Sequence, residues 1–303
     1  MRFLYVTVTI VMVSFIGLVG SNPSQAETMS AGGLTFPVRD ADMSGVVSCY
    51  RGQNAFCDRC EAPNINNVSL ANYTILRHAL TIGGVTAPLI PVASPNSERS
   101  RMMIASGKAS IKSDWTFNID GNKAVLKSVA FIENGEIEKG IFGRADNVSL
   151  AAVRHVDDLK GLRAVMNRNW RLDWQVLEEL APGQLLNAAT SRQIFNLIDQ
   201  RRADFTLLEF SAAADKGREI DGIRLVPVPG IKVALPGSQH FMISRRLPNA
   251  EDILDRLNTG IEALRANGFI RKCLIQSGIF NARVAYWSVI NTEQLHGSGI
   301  PSH

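Results

Sequence analysis

The chain has 303 residues, 46% of them hydrophobic and 20% charged, with a formal net charge of +4. That balance is globular and excludes disordered, collagenous and coiled-coil chains. The basic residues are scattered among 28 acids without a basic run, which excludes a dedicated nucleic-acid surface.

The chain opens like an export signal. Arg2 precedes an almost unbroken apolar run, Phe3 to Val19, and Ser24-Gln25-Ala26 puts small residues where a signal peptidase reads. The run is short for a membrane span and the Ser21–Gln25 stretch is polar, so cleavage after Ala26 is expected. No later stretch approaches the apolar length of a span. An exported, soluble protein is the expectation.

Four cysteines in an exported chain are expected to form bridges. Cys49, Cys57 and Cys60 cluster, Cys273 stands apart, and three pairings are open. A structural bridge is expected for at least one pair. Cys57-Asp-Arg-Cys60 has redox spacing but lacks a thioredoxin-like strand and helix around it, and no histidine follows Cys60 to support haem attachment.

In chain order, Gly45–Tyr50 reads as a strand and Ser69–Leu80 as a helix capped by Ser69. Ala87–Val92 reads as a strand, Ser97–Ser106 as a helix stopped by Gly107, and Ala109–Lys112 as a short strand. Val125–Phe131 and Lys139–Gly143 are further strands, with the Asn134-Gly135 turn between them. After the polar link Val156–Gly161, strand Leu162–Met166, helix Leu172–Leu180, strand Leu185–Ala189, helix Ser191–Gln200 and strand Ala203–Leu208 alternate. That rhythm means βαβ units and a parallel sheet. Strands Ile231–Leu235 and Phe241–Ser244 precede helices Asn249–Asn267 and Phe269–Ser277. Two α/β blocks follow from this order, and a cleft at their strand ends is the natural ligand site.

No HExxH, GxSxG, Walker loop or GxGxxG occurs, and His78, His155, His240, His296 and His303 show no metal-ligand spacing. A non-enzymatic protein without cofactor or metal is expected. His155, at the block junction, is the one histidine with a candidate functional place, with a hinge-region hydrogen bond as the alternative. The sequons at Asn67, Asn72 and Asn147 are read as chance.

Several segments together carry a resemblance. Ser100-Arg101-Met102-Met103-Ile104-Ala105-Ser106-Gly107-Lys108-Ala109-Ser110-Ile111, Val129-Ala130-Phe131 to Gly140-Ile141-Phe142, Asp158-Leu159-Lys160-Gly161-Leu162, Gln200-Arg201-Arg202-Ala203-Asp204-Phe205, and Ile261-Glu262-Ala263-Leu264 to Asn267-Gly268-Phe269-Ile270 stand in one order behind the export signal. The chain resembles the type II periplasmic solute-binding proteins, in particular the substrate-binding family of amino-acid ABC transporters. The resemblance implies an α/β fold of two lobes, each a doubly wound sheet flanked by helices, with the ligand cleft between them. It implies a signal peptide at 1–26, a discontinuous first lobe at 27–145 plus 231–303, and a second lobe at 146–230.

The family's acidic residue that grips a ligand amino group falls on Glu209, five places after Asp204. The alternatives are a surface glutamate or an ion pair with Arg201 or Arg202. Thr190 and Ser191 stand at a strand-to-helix junction that supplies the family's hydroxyl and backbone donors, with plain N-capping as the alternative. Tyr50, Trp115 and Trp170 follow strands and are expected at the cleft, against simple packing; Trp174 is assigned to packing. Arg51 and Arg144 are anion partners or solvated surface. Two positions depart from the family. No arginine stands between Arg101 and Arg144, where its carboxylate clamp lies, with Lys123 or Lys127 as its substitute, and Asn167-Arg168-Asn169-Trp170 replaces its glycine-rich turn. Both argue against an ordinary α-amino acid as ligand.

The expected function is a monomeric periplasmic solute-binding protein that captures a small polar or amino-acid-like ligand and delivers it to an ABC-type membrane permease. A periplasmic sensor or accessory protein of the same fold, docking on a protein partner, is the alternative.

Overall fold

The computed structural model describes residues 33–61 and 67–293; the expected signal segment and the tail with His296 and His303 lie outside them. Strand β1 (Leu34–Arg39) leads through helices α1 (Met43–Tyr50), α2 (Phe56–Arg59) and α3 (Val68–Ile82) to β2 (Leu89–Ser94). Then come α4 (Ser97–Ala105), β3 (Ile111–Trp115), α5 (Thr116–Ile119) and β4 (Val125–Ile132). The middle of the chain runs β5 (Glu138–Gly143), α6 (Val148–Ala151), β6 (Arg163–Met166), α7 (Arg171–Glu179), β7 (Gln184–Asn187), α8 (Ser191–Asp199) and β8 (Phe205–Leu208). It continues through β9 (Arg218–Ile220), β10 (Ile223–Pro227) and β11 (Ile231–Ala234), and closes with β12 (Gln239–Ser244), α9 (Ala250–Ala266), α10 (Phe269–Gln276) and β13 (Ser288–Val289). Among the described residues no helix is long and apolar enough to cross a membrane.

The strands form two layers. Parallel β1 and β2 join the antiparallel set β3-β12-β4 through Thr35 and Ser110, whose backbones bond at 3.0 Å. The second sheet runs β13-β11-β5-β8-β6-β7, with β10 also pairing β5. In it β6 is parallel to β7 and β8, as the alternating rhythm requires, while β5 and β11 are antiparallel additions. The chain changes layers at residues 132–138 and 234–239, so β5 and β11 belong with the second sheet although the expected boundaries were 145 and 231. At the crossings Leu235 donates its backbone N–H to Ile137 at 2.8 Å, and Gly237 donates to the Asn134 side chain at 2.6 Å.

Gly45–Tyr50 is the main correction: it is helix α1, not a strand. Its β-branched run favours a strand locally, yet Val46 and Cys49, three apart, are the fully buried positions, which is helical spacing. The first strand is instead β1, where Leu34, Phe36 and Val38 alternate inward. Helix α3 is capped by Asn67, which accepts the Leu70 N–H at 2.9 Å; Ser69 donates to Asp42 instead. Asn147 caps α6 in the same way and Asn72 is buried against Ser113, so all three sequon asparagines have structural partners. Gly107 terminates α4 with φ +77°, a conformation that glycine adopts freely.

Both disulfides form, Cys49–Cys57 and Cys60–Cys273. Each sulfur of Cys57-Asp-Arg-Cys60 is therefore bonded outside that motif, and the redox-pair spacing is incidental. The bridges tie α1, α2 and α10 around the buried face of α3.

Candidate functional site

A cavity of about 1010 Å³ opens between the layers. Trp115, at the end of β3, and Gln239, at the start of β12, contribute from the first layer; Lys139, Leu208 and Glu209 contribute from the second. The starts of α7 and α8 face the same space through Trp170, Arg171, Asp173 and Ser191. Strand ends and helix starts converge here because every βαβ unit turns at the same edge of its sheet.

The most constrained group is Lys139. The register that sets Gly140 against Leu208 carries Lys139 opposite Glu209. Its ammonium lies 2.5 Å from Asp173 Oδ1 and 2.9 Å from Glu209 Oε1. The side chains of Lys139 and Asp173 are 9% and 11% exposed, whereas that of Glu209 is 51% exposed and open to the cavity. Burial alone pushes the Lys139 ammonium down, but the two carboxylates outweigh it and hold the group above its ordinary value. Burial raises Asp173 beyond what Lys139 offsets. At Glu209 burial also acts upward, and the adjacent ammonium brings the carboxyl below its usual range. Arg218 closes this corner, its Nε donating to the Glu209 carbonyl at 2.7 Å.

A second charged group backs the aromatic wall. Asp114 accepts from Lys112 at 2.6 Å and from Asn118 at 2.7 Å, with Arg101 at 3.5 Å. Above it, Trp115 and Phe117 lie nearly parallel with centroids 6.3 Å apart, and the Arg171 guanidinium sits 4.9 Å from the Phe117 ring centre.

Of the expected site residues, Trp115, Trp170, Ser191 and Glu209 share the cavity. Thr190 does not line it: its hydroxyl accepts the Gln193 N–H at 3.2 Å, and Gln193 returns a bond to the Ala189 N–H, so it is the α8 cap. Tyr50 is half-exposed at the end of α1, outside the lining, because the segment expected to be a strand is a helix. Trp174 packs as expected, buried, with its indole N–H on Glu178. Glu209 pairs with neither Arg201 nor Arg202; Arg201 holds Asp146, as does Arg144. Lys127 pairs with Asp120 outside the cavity. His155 makes a local bond from its backbone N–H to Asp158.

Sequence reasoning missed Lys139, Asp173, Phe117, Arg171 and Arg218. Lys139 carried a usable signal, a lysine beside the apolar Gly140-Ile141-Phe142 of a central strand, where burial demands counter-charges. The cavity's guanidiniums come from α4, α7 and β9, elements far from the position where the family pattern is searched for an arginine.

No family model matches this sequence, and no curated protein matches it. Among solved structures the chain is similar to substrate binding domain 2 of GlnP from Lactococcus lactis in an open conformation, with a TM-score of 0.51 and 14% identity over 80% of this chain and 94% of that one. It is also similar to the L-cystine solute receptor of Neisseria gonorrhoeae in its unliganded open conformation, with a TM-score of 0.49 and 14% identity over 86% of this chain and 96% of that one. The fold of the chain is the two-lobed α/β fold of the type II periplasmic solute-binding proteins.

Proposed function

We propose that this is an exported, non-enzymatic solute-binding protein of the periplasm, acting as a monomer, that encloses a small polar ligand and delivers it to an ABC-type membrane permease. The observation that carries the reading is the cavity between the layers, where a half-buried ion triad and an aromatic wall meet in a fold shared with a substrate binding domain. A mixture of apolar walls and few convergent charges is what a selective small-molecule site requires.

The chain forms a discontinuous lobe with a second lobe inserted into it, the two crossings serving as hinge. Glu209, Ser191, Trp115 and Trp170 contact the ligand, and closure excludes water from the charges around it. The permease role rests on the resemblance in sequence order to the substrate-binding family of amino-acid ABC transporters.

The test is thermal unfolding of the mature chain against a broad panel of small solutes. A ligand that binds only the folded state at 100 times its Kd adds about 2.7 kcal/mol of stability. A clear rise in Tm with a restricted chemical class is expected. A flat response across the panel, with a protein partner retained from periplasmic extract, would replace this reading with a docking role.

A further inference from the structure

Outside the cavity the buried His240 has local partners only, the four cysteine sulfurs are paired, and the exposed Val148 and Tyr286 stand apart. The cavity charges go further. Glu209 offers a carboxylate to the cavity, yet an ammonium already sits on it, supplied by the protein through Lys139. That ammonium is fixed from the other side by Asp173 on α7. A ligand ammonium arriving at Glu209 would meet Lys139 and Arg218 at close range, with one of the two carboxylates buried behind the lysine. The site is built as though its amine were internal.

The remaining charges favour the opposite kind of ligand. Four cations line the cavity, Arg101, Lys139, Arg171 and Arg218, against the three carboxylates of Asp173, Glu209 and Glu219. Arg101 is engaged by Glu98 and Asp114, and Arg218 by backbone carbonyls. Among the described residues Arg171 has neither an acidic partner nor a hydrogen-bond acceptor for its guanidinium, which rests on Phe117. A guanidinium presents a planar fork that matches a carboxylate in two-pronged contact. Beside it the nearly parallel Trp115 and Phe117 rings, with Trp170, form a flat apolar wall.

We propose that the cavity selects an organic carboxylate with a flat apolar body and no ammonium group, Arg171 holding the carboxylate and Lys139 standing in for the missing amine. This rests on the solute-binding reading and narrows its ligand class.

Matched ligands test it by calorimetry on the mature chain: 3-phenylpropionate against phenylalanine, indole-3-propionate against tryptophan, and phenethylamine as the amine without a carboxylate. Each acid is expected to bind about tenfold or more tighter than its amino acid, with phenethylamine not binding. Arg171→Gln, at an exposed position of the first turn of α7, should weaken the acids by about tenfold while leaving far-UV circular dichroism unchanged, as befits loss of a charge-assisted contact. Tighter binding of the amino acids, abolished by Glu209→Gln, would overturn the proposal while leaving the solute-binding reading intact. A hit elsewhere in the solute panel is judged alike: a carboxylate with a flat apolar body and no amine supports the proposal, and any other solute overturns it. Silence from every solute overturns both readings together.

Discussion

Lys139 and Glu209 face each other where β5 runs antiparallel to the end of β8, joined by a 2.9 Å ion pair that opens on the cavity. The same ammonium reaches Asp173 on α7, so one lysine joins a strand, a helix and a strand end. Lys139→Met would strand Asp173 as a buried carboxylate with no counter-charge, a loss of about 3–5 kcal/mol by the behaviour of broken buried pairs. Adding Asp173→Asn removes the stranded charge and should recover most of that loss. Urea unfolding of the two variants checks this; equal destabilisation of the single and double variants would show that lost packing, not the charge, is responsible.

The two disulfides should contribute unequally. Cys60–Cys273 closes a sequence separation of 213 residues and Cys49–Cys57 one of 8. On the chain-entropy account the long bridge restricts the unfolded chain by about 5 kcal/mol and the short one by about 2.5 kcal/mol. Replacing each pair by serines and comparing urea midpoints should rank them in that order. The reverse order would mean that local packing of α1 against α2, and not loop closure, dominates.

Burial makes His240 a source of pH-dependent stability. Its Nδ1–H donates to the Ser128 carbonyl at 2.7 Å and its Nε2 accepts from the Ser238 hydroxyl at 2.7 Å, which is a neutral ring fully partnered. Burial pushes its pKa below the ordinary 6.5; the Ser128 bond and the charges of Asp120 and Glu133 oppose this, while Lys127 reinforces it. A group depressed on folding stabilises above its unfolded pKa and loses that contribution as pH falls through the folded value. Unfolding free energy should therefore decline as pH falls below about 6.5. His240→Asn should flatten that limb; an unchanged decline in the variant would assign it to another group.

Periodicity was enough for the parallel part of the second sheet. Leu162–Met166, Leu185–Ala189 and Ala203–Leu208 alternate with helices at βαβ spacing, and β6, β7 and β8 lie parallel in the structure. The region around α1 was misread because Val46-Val47 favours a strand locally, whereas packing on α3 and the bridge from Cys49 to Cys57 select a helix. Four expected residues line the cavity: Trp115 and Trp170 were placed there because they follow strands, Ser191 and Glu209 by the resemblance in sequence order. The Lys139–Asp173 pair was not legible, since the two residues lie 34 positions apart and meet only through strand register and the placement of α7. Arg171 and Phe117 meet across a longer separation still, through the layer arrangement that no local pattern encodes.

The packing of α9 on α3 sets two physical effects against each other at Gly260. This residue is in the middle of α9, where alanine is favoured over glycine by about 1 kcal/mol of helix propensity. A Cβ placed there, however, would stand 1.9 Å from the Ala79 carbonyl oxygen of α3. That oxygen belongs to the backbone of the buried Ala79 and has no free rotation by which to yield. Relieving such an overlap in a close-packed core typically costs 1–3 kcal/mol, more than the propensity gain at the upper end of that range. Gly83 makes the reciprocal approach, its Cβ position lying 2.0 Å from the Arg256 carbonyl oxygen of α9, so the helices cannot relieve one contact by sliding without tightening the other. Gly260→Ala should therefore lower Tm, by about 2–4 °C for each net kcal/mol in a domain of this size. A rise in Tm would mean that α9 shifts freely on α3 and that this contact does not fix the spacing of the two helices.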